Sequence, residues 1–285
     1  MPYSNSGDIL SEILEKNGSK EEKQWIFDKI DLIVQELSVK KFYMAYTHCA
    51  SKVEKRVLDF KGFDENKTVA HLKEKGANTL ELARTFMLVR ILESNFDFFE
   101  DKVRNIIGIA DTSELETLLK YLVLLPNAGN FKFAAVEALR TNIATIFDAI
   151  AMNNPYPALY FNAQQWNQMY LKAAFMQRDL SQIVDVDKMA NKELARIISD
   201  YAHERWAASR TIDPEFWRPV SNFLEGQTLE DMVRLFESDN PIERNAAALV
   251  CYHSNKSEAK ELLDGYPSLR NEIEKESLTW KTLKR

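Results

Sequence analysis

Helical periodicity runs through almost the whole chain and constrains its fold more than any other feature. Apolar residues recur every three or four positions, as they do on one face of an amphipathic helix. Two examples are the stripe Ile26, Ile30, Ile33 and Leu37 and the stripe Leu115, Leu118, Leu119 and Leu122. No segment alternates apolar and polar residues between hairpin turns, and only 8 of the 285 residues are glycine. The pattern therefore predicts an all-α protein.

Short polar segments interrupt the helical pattern along the chain. Each contains Gly, Pro, Asn, Asp or Ser, the residues that end one helix or begin the next. These segments are residues 17–23, 60–68, 109–113, 125–130, 153–157, 209–215 and 237–243. They predict about ten to twelve helices joined by short connections.

Two of these breaks share a local pattern. The sequences ELETLLKYLVLLPNAGNFKFAAVEALR and TLEDMVRLFESDNPIERNAAALV each place a Leu-rich helix, a turn with proline and an Ala-rich helix in this order. The second sequence resembles a HEAT repeat, so we predict a HEAT-like α-solenoid. Within one continuous domain we expect an N-terminal helical part over residues 1–110, a helical core with the HEAT-like repeat over residues 111–270, and a charged tail over residues 271–285.

Charge and cysteine content exclude several classes of protein. The chain has 37 Lys and Arg against 43 Asp and Glu and no basic stripe with interleaved aromatic residues, which disfavours nucleic acid as a partner. Cys49 and Cys251 stand apart in the sequence, which favours the cytoplasm over a disulfide-rich compartment. We expect no signal peptide, because the N-terminal sequence MPYSNSGDILSEILEKNG has no basic region followed by an apolar one. We also expect no transmembrane helix, because the longest uncharged run, residues 149–171, contains Pro155 and Pro157.

The most conspicuous polar cluster is the segment SDYAHERWAAS. On a helical wheel of residues 191–208, Arg205 lies within the apolar stripe, whereas His203 points to the polar face. Residue 207 is alanine where a His-Glu-x-x-His motif would have histidine, so no metal site is predicted. His203 and Glu204 are the only obvious candidates for proton transfer. A guanidinium facing the core, as predicted for Arg205, requires a carboxylate, carbonyl groups or an anionic ligand.

Further polar groups lie on predicted apolar faces in the middle of the chain. They belong to a predicted helix over residues 131–152, to the segment NNPYP and to a predicted helix over residues 166–176. The candidate ligand-binding set is Arg140, Asn142, Asn154, Asn167, Gln168, Lys172 and Arg205. If these cationic and amide groups converge, their pocket favours an anion such as a phosphate, a diphosphate or a carboxylate. If they do not converge, each secures an irregular turn.

Several blocks of the sequence resemble the EboA-domain family of bacterial proteins. The blocks RTNIATIFDAIAMNNPYP, WNQMYLKAAF, ANKELARIISDYAHERWAA and PEFWRPV occur in the family's order, and the similarity extends over residues 115–249. The matching positions are Arg140, Thr141, Asn142, Asn154 to Pro157, Trp166 to Met169, Lys172, Asn191, Glu193 to Arg196, Asp200 to Ala208 and Trp217. The sequence AMNNPYP departs from the family where a charged or longer residue is expected before the second asparagine. Residues 1–110 are similar to the family only in their helical, leucine-rich character.

The resemblance implies a core of the EboA type over residues 111–270, with no established activity and no assigned catalytic residues. Genes of this family lie in a cluster with those for a UbiA-like prenyltransferase, a TatD-like metal hydrolase, a sugar-phosphate-isomerase-like protein and a cyclase resembling dehydroquinate synthase. In cyanobacteria this cluster is associated with moving precursors of the pigment scytonemin to the periplasm. The resemblance therefore implies partners from the same pathway, including the UbiA-like membrane enzyme, and a cytoplasmic place peripheral to the inner membrane through such a partner.

Two functions are compatible with these features. The first is a non-catalytic helical scaffold or accessory protein of a secondary-metabolite pathway, since the sequence has no P-loop, GxGxxG or GxSxG motif and no cofactor is predicted. The second is a protein that binds or transforms a phosphorylated or carboxylated intermediate through the Arg, Asn and Lys set. The sequence favours the first, and it leaves open whether Arg140 and Arg205 are structural or bind a ligand.

Overall fold

The computed structural model describes residue 3 and residues 5–283. Within these residues the protein is all-α, as predicted, with an isolated bridge between Val57 and Asn78 instead of any β-strand. The chain divides into two compact units, unit 1 from Met1 to Tyr160 and unit 2 from Phe161 to Arg285. The solenoid arrangement and the parts 1–110 and 111–270 stay predictions.

Unit 1 consists of ten α-helices among its described residues. They are α1 (Ser6–Asn17), α2 (Lys20–Glu36), α3 (Val39–Lys52), α4 (Lys67–Glu74), α5 (Thr79–Ser94), α6 (Phe96–Ile109), α7 (Thr112–Tyr121), α8 (Lys132–Ala138), α9 (Ala144–Ala151) and α10 (Tyr156–Tyr160). Two 3-10 segments, Leu122–Leu124 and Ala128–Phe131, join α7 to α8.

Unit 2 contains seven further α-helices among its described residues. They are α11 (Ala163–Phe175), α12 (Val186–Met189), α13 (Lys192–Ala207), α14 (Gln227–Phe236), α15 (Pro241–His253), α16 (Ser257–Asp264) and α17 (Pro267–Glu274). Two 3-10 segments lie at Leu180–Gln182 and Pro214–Phe223. The prediction of about ten to twelve helices was too low. Helices as short as α10 and α12 have too few residues to show a helical repeat of apolar positions in the sequence.

Several helices begin at polar capping residues, and two of these, Ser19 and Asp111, lie within the breaks predicted from the sequence. Ser19, Asn78, Asp111 and Asn162 each accept a hydrogen bond from a backbone N–H of the first helical turn, and the Glu or Gln three residues later bonds back to the cap. These reciprocal caps satisfy N–H groups that have no partner inside the helix. They fix the starts of α2, α5, α7 and α11.

The core of unit 1 surrounds α5, which packs against α1, α2, α3, α6 and α7. This helix is buried on nearly every side and carries the fully enclosed guanidinium of Arg84, which is 1% exposed. Arg84 Nη2 lies 3.7 Å from Glu114 Oε1, and its Nη1 donates to Ser113 Oγ at 3.2 Å. The carboxylate offsets the charge that burial would otherwise make costly.

The core of unit 2 is centred on the 3-10 segment Pro214–Phe223, which packs against α13 and α15. Phe216 and Trp217 are completely buried. The ring of Tyr170 stacks on Phe216 with centroids 5.6 Å apart, while Trp206 stacks on Trp217 at 5.8 Å. The predicted helix pair TLEDMVRLFESDNPIERNAAALV is present as α14 and α15, which pack against each other.

The predicted single helix over residues 131–152 was wrong. The chain leaves helical geometry between α8 and α9, at residues 139–143. Thr141 Oγ1 accepts a hydrogen bond from the backbone N–H of Ile143 at 3.1 Å, and Arg140 N–H bonds to the Glu137 carbonyl at 3.1 Å in a tight turn. Threonine offers the backbone this local alternative to the helix ladder. The face on which Arg140 and Asn142 were predicted therefore does not exist as one surface.

The predicted charged tail over residues 271–285 contributes to the core of unit 2. Ile273, Leu278 and Leu283 are buried within it. Residues 284–285 of this tail lie outside the described residues.

Candidate functional site

A chain of hydrogen-bonded side chains joins α13 to α14 in unit 2. Ser199 Oγ donates to Asp231 Oδ2 at 2.5 Å, and His203 Nε2 donates to Asp231 Oδ1 at 2.6 Å. The Asp231 carboxylate is 1% exposed, whereas the His203 side chain is 45% exposed. We call these three residues the polar chain. It connects a buried hydroxyl to a partly exposed imidazole through a buried carboxylate.

The polar chain forms on the part of the buried face of α13 where the residues are small. Its buried positions are Leu194, Ala195, Ile198, Ser199 and Ala202. On the helical wheel, the large apolar side chains placed the centre of the predicted buried stripe close to Arg205. In the structure Arg205 lies at the edge of the buried face and is only half-buried. Small side chains let a neighbouring element approach closely, and α14 brings Asp231 against this face.

The sequence held a signal for Asp231 that a helical wheel of α13 alone does not contain. Within TLEDMVRLF, the buried residues of α14 are Thr228, Asp231, Met232, Leu235 and Phe236, which follow helical spacing. A carboxylate on that stripe is buried and needs hydrogen-bond donors. The donors are Ser199 and the exposed-face residue His203, which was predicted as a surface or pairing residue and pairs here.

A cleft of about 470 Å³ opens beside the polar chain, and we call it the unit 2 cleft. Ala195 and Ser199 of α13 and Thr228 of α14 are its buried lining residues, and Phe223 stands half-buried beside them. Its other lining residues are charged or amide side chains at the mouth: Lys192, Glu193, Arg196, Asp200, Glu225 and Gln227. The cleft therefore combines a small-residue floor and an aromatic wall with a polar mouth.

The charges at the mouth are paired with one another. Lys192 Nζ lies 2.5 Å from Glu225 Oε1, which bridges α13 to the segment before α14. Arg196 forms ion pairs with Glu193 at 2.7 Å and with Asp200. Hydrogen bonding to these partners raises the pKa of Arg196 and lowers the pKa of Glu193 and of Glu225. These ion pairs are exposed, so each contributes little to stability.

Arg205 holds the loop that follows α13. Its Nε and Nη2 donate to the backbone carbonyl of Thr211 at 3.1 and 2.8 Å. A positive charge in the last turn is also favourable for the helix dipole. Glu204, the other proposed proton-transfer residue of this segment, is exposed. Arg205 thus has a backbone partner within its own unit.

The other predicted ligand residues of unit 2 have separate surroundings. Asn167 is buried and exchanges two amide hydrogen bonds with Asn191, the N-cap of α13, at 3.1 and 2.9 Å. Gln168 is exposed, and Lys172 is half-buried, where burial lowers the pKa of its ammonium group. Asn167 therefore ties α11 to the start of α13.

The predicted ligand residues of unit 1 also differ from one another in burial. Asn154 is 1% exposed; its Nδ2 donates to the carbonyls of Leu119 and Ala149, and its Oδ1 accepts from Tyr156 N–H at 3.0 Å. Arg140, by contrast, is exposed and pairs with Glu137 at 3.2 Å, and Asn142 is exposed as well. The expectation that Arg140 and Asn142 face the core was wrong, because the helix breaks beside them.

Two further properties concern the described residues as a whole. No group of three or more His, Cys, Asp or Glu side chains among them is arranged to hold a metal ion. None of the described helices combines the length and the apolar character that crossing a membrane requires.

Comparisons with known proteins give one match. A family model described as metabolite traffic protein EboA matches residues 6–221. The match covers most of unit 1 and includes α13 and most of the central 3-10 segment of unit 2. Neither the curated proteins nor the solved structures that were compared include a match to the chain.

Proposed function

The chain belongs to the EboA family of metabolite traffic proteins, and from this premise we propose that it is a non-catalytic accessory protein of a bacterial secondary-metabolite pathway. In this proposal it assists the export of a precursor by docking proteins of the same pathway, among them the UbiA-like membrane prenyltransferase. Its place is then the cytoplasm, at the inner membrane when the partner is bound.

The order of groups in the polar chain carries the non-catalytic part of the proposal. In a serine hydrolase the imidazole stands between the hydroxyl and the carboxylate, and it takes the proton from the hydroxyl. Here Asp231 stands in the middle and receives hydrogen bonds from both Ser199 and His203. The imidazole is thereby bonded to the carboxylate and not to the hydroxyl, so Ser199 lacks the imidazole base that activates the serine of such a hydrolase.

A second observation supports the same proposal. Among the residues predicted to bind a ligand, Asn154, Asn167 and Arg205 bond to groups within their own unit. These bonds satisfy buried or half-buried polar groups and hold turns in place. Such roles fit a protein that presents a stable surface to partners.

Gene replacement tests the proposal in a bacterium that makes the pathway product. Deleting the gene is expected to leave the precursor inside the inner membrane, and the wild-type gene restores its export. The double variant His203→Gln, Glu204→Gln removes both candidates for proton transfer and is expected to restore export as well as the wild type does. A double variant that keeps the wild-type melting temperature and fails to restore export contradicts the non-catalytic function.

Co-purification tests the docking part separately. The tagged full-length protein is expected to recover the UbiA-like prenyltransferase from detergent-solubilised membranes of the same bacterium. An equally tagged, unrelated helical protein serves as the control. Recovery of the prenyltransferase at the level of that control contradicts docking to this partner.

Binding of a small molecule is a second candidate function, and the unit 2 cleft is the observation that favours it. Its volume of about 470 Å³ lies within the range of about 300 to 1,000 Å³ that small-molecule sites occupy. An accessory protein that carries a metabolite between partners needs such a site.

A further inference from the structure

We propose that the unit 2 cleft binds a flat, uncharged, largely apolar molecule that donates one hydrogen bond, from a hydroxyl or an N–H group, to Ser199. This inference rests on the proposed function, since it assigns the class of metabolite that the accessory protein would carry. It differs from the anion pocket predicted from the sequence in both the residues and the charge of the ligand.

The lining of the cleft favours a flat apolar ligand. Ala195 and Thr228 are buried and have short side chains, so the space between α13 and α14 is left open to a ligand. Phe223 contributes an aromatic ring to the same cleft while remaining half-buried. Aromatic rings pack favourably against other planar apolar groups.

The mouth of the cleft disfavours an anion. Its two cations, Lys192 and Arg196, are both engaged in ion pairs, and its acidic residues are three: Glu193, Asp200 and Glu225. Two positive and three negative side chains give the lining a net charge of −1. A carboxylate or phosphate would have to compete with these acidic side chains for Lys192 and Arg196 and would be repelled by their negative charge.

Ser199 supplies the polar contact that orients the ligand. Its hydroxyl hydrogen is used on Asp231, so its oxygen is left to act as an acceptor. Within residue 3 and residues 5–283 no group donates to this oxygen. Asp231 is itself held by His203, and the polar chain therefore fixes the rotamer of Ser199 from behind. A ligand hydroxyl or N–H matches an acceptor of this kind.

Three probes of the same ring size separate the features of the proposal. 2-Naphthol is flat, uncharged and carries a hydroxyl donor; 2-methoxynaphthalene lacks the donor; and 2-naphthoate is an anion. Equilibrium dialysis against the full-length protein measures the dissociation constant of each. We expect 2-naphthol to bind about tenfold more tightly than 2-methoxynaphthalene, the difference that a single hydrogen bond makes, and we expect 2-naphthoate to bind most weakly.

Variants connect the binding to the cleft. Ser199→Ala is expected to remove the difference between 2-naphthol and 2-methoxynaphthalene, whereas Phe223→Ala weakens the binding of both. Ala195→Leu fills the cleft and abolishes binding. Phe175→Ala is the matched control, because Phe175 is an exposed aromatic residue of the same unit and lies outside the cleft lining.

Three results would overturn the inference: tighter binding of 2-naphthoate than of 2-naphthol, an unchanged 2-naphthol affinity in Phe223→Ala, or a preserved preference for 2-naphthol in Ser199→Ala. Melting temperatures identify any variant that fails to fold, and Phe223→Ala still decides the outcome if Ala195→Leu unfolds. Failure of the proposed function has a different readout, recovery of the prenyltransferase at the level of the control protein, and neither result implies the other.

Discussion

Unit 1 and unit 2 use their buried polar side chains in different ways. In unit 1 several polar side chains hold the backbone: the half-buried Lys75 Nζ donates to the carbonyls of Ala149 and Met152 at the end of α9, and His71 Nε2 donates to the Lys120 carbonyl. In unit 2 the polar chain bonds side chain to side chain and ends beside a cleft.

The difference indicates where each unit tolerates change. A side chain that satisfies a carbonyl at a helix end holds the path of the backbone, so its loss leaves a buried group without a partner. A serine beside a cleft can exchange a partner with a ligand without moving the backbone. We therefore expect unit 1 to respond to substitution in stability and unit 2 to respond in binding.

The largest effect is expected from Arg84→Met in unit 1. This variant leaves the Glu114 carboxylate buried without its cation, and breaking a buried ion pair costs about 3 to 5 kcal/mol. Urea unfolding followed by circular dichroism measures the loss. Arg140→Met is the matched control, because the exposed Arg140 side chain should change stability by less than about 0.5 kcal/mol. Equal losses in both variants would contradict the assignment of the buried pair.

The next effect is a dependence of stability on pH through His71. Burial, and to a smaller extent the nearby ammonium of Lys75, lowers the pKa of His71 from 6.5 to about 4. Because the pKa of His71 is lower in the folded state than in the unfolded state, the folded state binds the proton more weakly. Neutral His71 therefore stabilises the fold. Its contribution is complete above pH 6.5 and is lost as the pH falls towards 4, a change of about 3 kcal/mol.

His71→Gln isolates this contribution from the other titrating groups. Glutamine keeps an N–H donor but does not titrate, so the stability advantage of the wild type over the variant should shrink between pH 6.5 and pH 4. Denaturant unfolding at several pH values measures it. A constant difference across this range would show that His71 does not titrate as proposed.

A smaller effect is expected at the two asparagines of unit 1 that were predicted to bind a ligand. Asn154→Ala removes the amide that holds Leu119, Ala149 and Tyr156 and should cost about 2 kcal/mol, since it leaves buried backbone groups unpaired. Asn142→Ala changes an exposed side chain and should cost less than about 0.5 kcal/mol. Thermal unfolding of both variants makes the comparison. A loss of stability in Asn142→Ala as large as that in Asn154→Ala would instead support the predicted helix in which Asn142 faces the core.

How far the sequence predicts the fold depends on how local each cause is. The breaks around Ser19 and Asp111 were predicted, because they follow from residues close together in the chain, whereas the start of α5 at Asn78 lies outside every predicted break. The break between α8 and α9 was missed, since it contains neither glycine nor proline and is held by local hydrogen bonds of Arg140 N–H, Thr141 N–H and Thr141 Oγ1.

The candidate site was predicted only in part for a related reason. His203 was identified from its segment, but its partner Asp231 comes from another helix, and a wheel of one helix contains no information about its neighbours. Because the prediction relied on the large apolar residues of α13, it placed the buried face of this helix too close to Arg205. The buried face includes Leu194 and Ile198 and extends over the small residues Ala195, Ser199 and Ala202, which permit close packing.

The smallest effect is expected at Arg205 in unit 2, and it separates the anion pocket from a structural role. Arg205→Met loses two hydrogen bonds to the carbonyl of the exposed residue Thr211, which should cost about 1 kcal/mol. Arg205→Lys keeps the charge at the end of α13 but lacks the two nitrogens that reach Thr211. Its melting temperature should therefore fall between that of Arg205→Met and that of the wild type.

Inorganic phosphate and diphosphate test the alternative in the same assay. A ligand that binds the folded state raises the melting temperature, and the rise grows with the logarithm of the ligand concentration relative to its dissociation constant. Arg205 already has a backbone partner, and the charges at the unit 2 cleft are paired. Neither anion should therefore raise the melting temperature of the wild type by more than it raises that of Arg205→Met. A rise confined to the wild type would mean that Arg205 leaves the Thr211 carbonyl for an anion, and the ligand of unit 2 would then be charged.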